Sequence, residues 1–329
     1  MVGSYASTVA ASTEPPAARP RLSVVSAIEA DQYSKALDGF ALDVVRTGPG
    51  FGPNLVRNAH VSGALVAAGL IQFPVLGRTS VAEDTVVAVT ITTAPPGSRW
   101  CGIDLAAGTT LLYGPGAEHT GISLAGLAYS LVAVPTAAIR TTAGQRRTHV
   151  RLPALGTVSV VPPTAQGRRL AATLRRGGSL TAALAPGMGE DVVTSLVENL
   201  ALSSRRLRGG TGVQSSRHIV RLSVELSDSL GRAPTLGELC GATHTSERRL
   251  RHAFTETLGE PPGRYFRHRA LNQARSRLLD ETSLGSVTRV AADLGYTNHG
   301  RFASQYQDLF GELPSRTAAA ARYPRRSPS

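Results

Sequence analysis

TLGELCGATHTSERRLRHAFTETLG, running from Thr235 to Gly259, decides the architecture of the helical half of this chain. Thr235 with Glu238 makes a capping box. The threonine hydroxyl takes the Glu238 amide and the glutamate takes the Thr235 amide, so a helix opens at Leu236 and runs to Ala242. A break at Thr243-His244-Thr245 follows. Ser246 then caps a second helix, Glu247 to Leu258, which Gly259 and Pro261 stop. Leu250 and Phe254, with Ala253, Thr257 and Leu258 beside them, form the face that must be buried. The opposite face carries Arg248, His252 and Thr255, flanked by Arg251. An arginine-rich helix face taken alone is usually solvated surface. On a short helix held by a second one across a turn, it has the geometry of a helix-turn-helix reader that enters a DNA major groove.

The plan recurs about fifty residues later in SVTRVAADLGYTNHGRFASQYQDLF, Ser286 to Phe310. Ser286 caps Val287 to Leu294, Gly295 sits where the turn needs a left-handed residue, and Asn298 caps His299 to Phe310. Phe302, Tyr306, Leu309 and Phe310 form its buried face, with Tyr296 packing from the turn; Gly300, Ser304 and Gln307 face out with Arg301 beside them. The two outward faces differ in kind. Cationic forks on the first suit guanine edges, so the helix 247–258 is expected to carry more base discrimination and the helix 299–310 to position the protein on phosphate.

Between the units, Gly263 to Leu279 reads as one longer helix with Tyr265, Phe266, Ala270, Leu271, Ala274 and Leu278 apolar and Arg264, Arg267, Arg269, Arg275 and Arg277 charged. Sixteen or so helical residues span roughly 24 Å, a spacer able to hold two readers in successive major-groove turns about 34 Å apart. Upstream, Ser216 to Leu230 is amphipathic, with Ile219, Val220, Leu222, Val224 and Leu226 apolar, and Gly231 with Pro234 closes it.

The double unit resembles the AraC/XylS family of bacterial transcription regulators. The resemblance is carried in order by Leu236 to Cys240, Ser246 to Phe254, Leu258 to Pro262, Arg269 to Leu279, Ser286 to Ala291, Leu294-Gly295-Tyr296, Gly300 to Tyr306, and Phe310 to Ser315. It implies that the first helix of each unit supports and the second inserts into DNA, with contacts at Arg248, Arg251, His252 and Thr255, and at Asn298, His299, Arg301 and Ser304. It further implies double-stranded DNA as partner, contact with RNA polymerase, and activation of transcription, with repression the alternative. Two positions depart from the family pattern: His244 stands where the first turn normally has glycine, and Ala270 where an arginine is often found.

The chain has 329 residues, two to three domains' worth. Its formal net charge is +12, and from Ala201 onward 20 Arg against 11 acidic residues leave +9 of it in the last two fifths. Residues 1–21, rich in Ala, Ser, Thr and Pro, read as a disordered leader, and Ser23 to Gly39 could form a short helix. From Phe40 to Pro162, short apolar runs are punctuated by Gly and Pro: Gly63 to Phe73, Thr85 to Thr92, Thr109 to Tyr113, Gly126 to Val134, and Val158 to Val161. The expected fold is therefore α+β and multidomain. A β-rich partial barrel over 22–180 would serve an effector or oligomerisation role, the role being implied by the resemblance. A linker over 181–215 follows, then the double helix-turn-helix region over 216–318 and a basic flexible tail over 319–329.

The linker's helix, Asp191 to Leu207, could dimerise the chain or pack on it. His60, His119 and His149 are too scattered for a metal site, and His119, after the turn at Pro115-Gly116, is expected on an exposed loop, with a place facing a pocket as the alternative. Trp100 and Cys101 are expected to pack in the core or on the domain surface, with contact to a ligand as the alternative. Two cysteines, Cys101 and Cys240, provide neither a disulfide framework nor metal spacing, and a reducing cytoplasm is the expected setting. No apolar run suggests a membrane partner. With no nucleophile elbow, phosphate-cradling loop or cofactor motif, an enzyme is not expected. A small molecule is the expected effector, though no constellation selects one; a β-rich module that binds a ligand or partner without regulating anything remains the other reading.

Overall fold

The computed structural model describes residues 21–27, 40–50, 52–61, 63–161, 211–280 and 286–322. Of the expected leader over 1–21, all but Arg21, which opens a strand, lies outside them, as does the helix at 191–207.

Twelve strands form two antiparallel sheets. The strands are β1 (Arg21–Ala27), β2 (Phe40–Arg46), β3 (Asn54–Val61), β4 (Ala64–Leu70), β5 (Val75–Val81), β6 (Thr85–Thr93), β7 (Arg99–Trp100), β8 (Ile103–Asp104), β9 (Thr110–Tyr113), β10 (Glu118–Ser123), β11 (Ala128–Pro135) and β12 (Val158–Val161). One sheet runs β1-β3-β4-β11-β6-β9-β12 and the other β2-β5-β10-β7-β8. They face one another without closing, as a partial barrel.

β6 shows why these residues make this layer. Val87, Val89 and Ile91 alternate into the core between the sheets, while Val86 points to the other face. That face is covered by α1 (Thr136–Gln145), which places Ile139 and Ala143 on Val86, Val132 and Val134. A strand buried on both sides needs no polar alternation, hence its run of β-branched residues. Asn54 is fully buried and accepts from Gln72 N at 2.6 Å and Phe73 N at 3.3 Å, holding a bend that no ladder satisfies. Gly121 is required by packing: a Cβ there would lie 2.4 Å from the Trp100 ring.

Several expectations change here. Residues 21–27 form a strand paired with β3 rather than the start of a helix. β2, β3, β5, β10 and the short β7–β8 hairpin were not among the expected runs. His119 is not on an exposed loop: it lies in β10 and lines a cavity between the sheets, its ring 5.2 Å from that of Trp100 and 5.1 Å from that of Tyr113. Trp100 is buried as expected and lines the same cavity.

The helical part comprises α2 (Thr211–Leu230), α3 (Leu236–Thr243), α4 (Glu247–Leu258), α5 (Pro262–Leu279), α6 (Val287–Asp293), α7 (His299–Phe310) and α8 (Pro314–Arg322). α2 begins within the expected linker, and α8 carries helix through 319–322, where a flexible tail was expected. α5 is a shared spine. Its Tyr265 and Phe266 enter the core of α2, α3 and α4, whereas Leu271, Ala274 and Leu278 enter the core of α6 and α7.

The outer face of β2 and β5 supplies Val45 and Leu76 to the first of these cores. Arg269 of α5 bridges Asp43 of β2 and Asp228 of α2, both at 2.7 Å. Asn272 caps the edge of β2, accepting from Arg46 N at 3.1 Å and donating to Arg46 O at 2.9 Å.

Candidate nucleic-acid interface

The first helix-turn-helix unit is α3 and α4. Its capping box is complete: Thr235 Oγ1 accepts from Glu238 N at 3.3 Å, and a Glu238 carboxylate oxygen accepts from Thr235 N at 2.7 Å. Arg232 forks onto the same carboxylate at 2.6 and 3.1 Å. These contacts, Arg232's hydrogen bond first and then those of Thr235, hold the Glu238 carboxyl down to about 2. His244 takes the turn in left-handed backbone at φ 49°, the glycine-like geometry, without a glycine. Ser246 then caps α4, accepting from Arg249 N at 3.3 Å.

Leu250, Ala253, Phe254 and Leu258 of α4 are buried, and Phe254 lies 5.7 Å from the rings of both Tyr265 and Phe266. Burial of that face turns Arg248, Arg251, His252 and Thr255 outward, and all four are exposed. They are not equally free. Arg251 is held by Glu247, with Nε at 2.9 Å, and His252 lies 3.6 Å from Glu256 and 3.3 Å from Arg249. Among the described residues Arg248 has no ion-pair partner, so its fork is open. An exposed i,i+4 pair contributes only about 0.3–0.5 kcal/mol, so Arg251 exchanges Glu247 for another anion at little cost.

The second unit is α6 and α7. Ser286 accepts from Arg289 N at 3.2 Å, Gly295 makes the turn at φ 86°, and Asn298 Oδ1 accepts from Arg301 N at 2.9 Å. Phe302, Tyr306, Leu309 and Phe310 are buried, leaving Asn298, His299, Arg301 and Ser304 exposed. The Asn298 oxygen holds the cap with one lone pair, and the side chain keeps a second lone pair and two amide donors for another partner.

A cleft of about 280 Å³ separates the units, and Arg267 of α5 lines it together with Arg301, Tyr296 and Asn298. Arg267 is exposed and was not among the expected contacts, since its helical position marks it only as part of the spacer's charge. Two other spacer arginines turn inward. Arg269 makes the bridge to β2, and Arg275 is buried against Glu312 at 2.8 Å and Tyr306 and Thr317 at 3.2 Å.

Residues 239–320 match the family described as a helix-turn-helix domain. Over 127 residues the chain is 35% identical to the XylDLEGF operon transcriptional activator 3 of Pseudomonas putida, a match spanning 38% of each chain. Through this unit the chain belongs to the AraC/XylS family. A second relative, the probable thc operon regulatory protein of Rhodococcus erythropolis, is 35% identical over 100 residues, 30% of each chain. The structure of a probable AraC family transcriptional regulator from Rhodopseudomonas palustris is 30% identical, with 33% of this chain matching 98% of that one at a TM-score of 0.30. The match thus covers well under half the length of these curated relatives. Among the described residues of this AraC/XylS-type chain, no group of three or more His, Cys, Asp or Glu is placed to hold a metal, and no helix is long and apolar enough to cross a membrane.

Proposed function

We propose that the chain is a sequence-specific DNA-binding transcription regulator, an activator that responds to a small molecule through its β-rich region and acts in the cytoplasm. The observation that carries the reading is the pair of capped helix-turn-helix units on one spine, each turning a set of exposed polar side chains outward while its apolar face is buried. Arg248, with Arg251, His252 and Thr255, reads base edges on one half of the site. Asn298, His299, Arg301 and Ser304 hold the other half, and Arg267 shares a phosphate with Arg301 across the cleft. The P. putida relatives are named as operon activators, which favours activation and contact with RNA polymerase. Because one chain carries two readers, an asymmetric site needs no dimer, although a homodimer on paired sites is compatible with the same geometry.

DNase footprinting of the full chain on its own upstream region should show two adjacent protected major-groove faces. Binding should weaken as salt rises. Equal and weak binding to all DNA sequences, with and without cell metabolites, would sink the regulator reading.

A further inference from the structure

The cleft between the two helix-turn-helix units carries charge that its own walls do not balance. Phe266, Ala270 and Leu294 make its apolar floor, while Arg267, Arg301 and the Tyr296 side chain supply its polarity. No carboxylate lines it, and among the described residues neither Arg267 nor Arg301 makes an ion pair. Burial raises the Tyr296 phenol, and Arg267 and then Arg301 pull against it, so both guanidinium charges reach that hydroxyl. The hydroxyl donates to Gln305 Oε1 at 3.5 Å, the outer limit of a hydrogen bond, and is free to turn to a better acceptor. Two like charges facing one cleft repel each other, and an anion held between them removes that repulsion. The cleft is thus a set of donors that lacks a charged acceptor, which a phosphate supplies with several oxygens.

Its place in the fold decides which phosphate. One side is made by Ala233 and Pro234, which lead into the Thr235 cap of α3, and the other by the first turn of α7, where Asn298 and Arg301 belong to the second reader. A protein that reads two successive major-groove turns on one face of DNA meets, between them, the minor groove and the two phosphate strands that border it. We infer that the cleft clamps one backbone phosphate of this intervening segment between Arg267 and Arg301, and that Arg267 thereby sets the spacing of the two half-sites. This rests on the DNA-binding reading and gives the spacer helix a recognition role of its own.

Spacing is set because each jaw is fixed to a different reader. Phe266, the neighbour of Arg267, is buried in the core under α4, whereas Phe302, the neighbour of Arg301, is buried in the core under α7. A phosphate held by both therefore ties the two readers to one point on the DNA. One added base pair moves that point by about 3.4 Å along the axis and turns it by about 34°. A hydrogen bond stretched by that amount is lost.

The test uses the full chain and duplexes built on the site that footprinting of its upstream region defines. In one series each phosphate between the two protected faces is replaced in turn by an uncharged methylphosphonate; in another, one base pair is inserted or removed there. In the parent chain one methylphosphonate position should weaken binding about ten-fold. Arg267→Gln should weaken binding to the unmodified duplex by a similar factor, lose nothing further at that position, and lower the salt slope by about 0.9. Its preference for the original spacing should shrink about ten-fold, and Arg267→Lys should recover part of the affinity. Arg267 is exposed, so both variants should unfold thermally like the parent. Parent-like affinity in Arg267→Gln, losses that simply add at every methylphosphonate position, or an unchanged spacing preference overturns the clamp. Competition by inorganic phosphate beyond that of sulfate at equal ionic strength, abolished in Arg267→Gln, would assign the cleft to a free anion and overturn it too. Sequence-selective footprints with no sensitive phosphate between the faces would overturn the clamp alone. Equal binding to all sequences, with the salt slope still lowered by Arg267→Gln, would overturn the regulator reading and leave the phosphate contact standing.

Discussion

Replacing Arg275 by methionine tests whether one inward-turned arginine fastens the second reader to the spine. Its Nη1 reaches Glu312 at 2.8 Å and the hydroxyls of Tyr306 and Thr317 at 3.2 Å, and its guanidinium carbon sits 4.7 Å from the Phe310 ring centroid. Methionine keeps most of the stem's packing but leaves the Glu312 carboxylate with the Thr317 hydroxyl and the weaker pull of the Arg316 charge. Removing one partner of a fully buried ion pair costs about 3–5 kcal/mol. The Arg275 side chain is 10% exposed, but that of Glu312 is 32% exposed, so water recovers part of the loss and about 2 kcal/mol remains. That is a roughly thirty-fold shift in the opening equilibrium of the unit.

In a chain with several cores, one melting temperature does not isolate this loss, whereas amide hydrogen exchange does. Amides of α7 and α8 should exchange about thirty times faster in Arg275→Met, with those of α3 and α4 unchanged, and the footprint should lose one of its two protected faces. The pH dependence adds a second signature. Burial raises the Glu312 carboxyl, but hydrogen bonds from Arg275 and Thr317 and the Arg275 charge outweigh it and hold the group below its usual 4.5. A carboxyl depressed in the folded state contributes stability above its unfolded value and loses it as pH falls through the folded one. The difference between parent and variant should therefore be full at neutral pH and shrink below pH 4.5. Exchange in α7 and α8 within two-fold of the parent, about 0.4 kcal/mol, would refute the assignment.

Arg248→Ala should cost about 1–3 kcal/mol on the preferred site and relax specificity at one position, while Arg301→Ala should weaken binding evenly across sequences and lower the salt slope by about 1, both read by competition binding at several salt concentrations. Gly259→Ala forces a side chain into left-handed backbone at φ 73° and brings its Cβ within 2.5 Å of Ile122 Cδ1. It should cost about 1–2 kcal/mol from the backbone and speed exchange in β10. His244→Gly should unfold within about 0.5 kcal/mol of the parent, since relief of the left-handed turn is offset by the freedom of unfolded glycine, whereas His244→Val should lose about 1 kcal/mol or more in the same denaturant titration.

The helical part was legible because its signals are local. Ser246, Ser286 and Asn298 each cap the helix expected of them, and a cap reads from a few consecutive residues. The β-rich part was legible only where a strand is apolar on both faces, as at Thr85–Thr93. β3, Asn-Leu-Val-Arg-Asn-Ala-His-Val, looks too polar for a strand because Asn54 is occupied in binding backbone amides from 72 and 73, a contact between distant segments. His119 was misplaced for a related reason. Its strand, β10, is polar and short, and its membership comes from register with β5, opposite Thr79. Arg269 and Arg275 look like Arg264 and Arg267 in the spacer's sequence. Only the positions of Asp43 and Glu312, 226 and 37 residues away, decide which arginines turn inward.

The two readers do not depend on the β-rich region equally. The core under α4 includes Val45 and Leu76 from β2 and β5, and Gly259 at the end of α4 abuts Ile122 of β10. The core under α7 is built from α5, α6 and α7, with Ala318 of α8 packed against it. Its connection to the β-rich region runs through Arg46, whose guanidinium sits 4.5 Å from the Phe73 ring and 5.3 Å from that of Phe310. On β2, Leu42 and Val44 line the cavity while Asp43 and Val45 face the helices; on β5, Val75 and Gly77 line it while Leu76 faces them. Strand alternation thus puts the cavity wall and the support of the first reader on opposite faces of the same residues' neighbours. The cavity wall is thus one backbone thickness from the core under α4, whereas among the described residues its links to α7 run through the spine and through Arg46. Under the proposed function, a change at the cavity wall is expected to act first on the half of the site assigned to Arg248 and to leave the half assigned to Arg301 less affected.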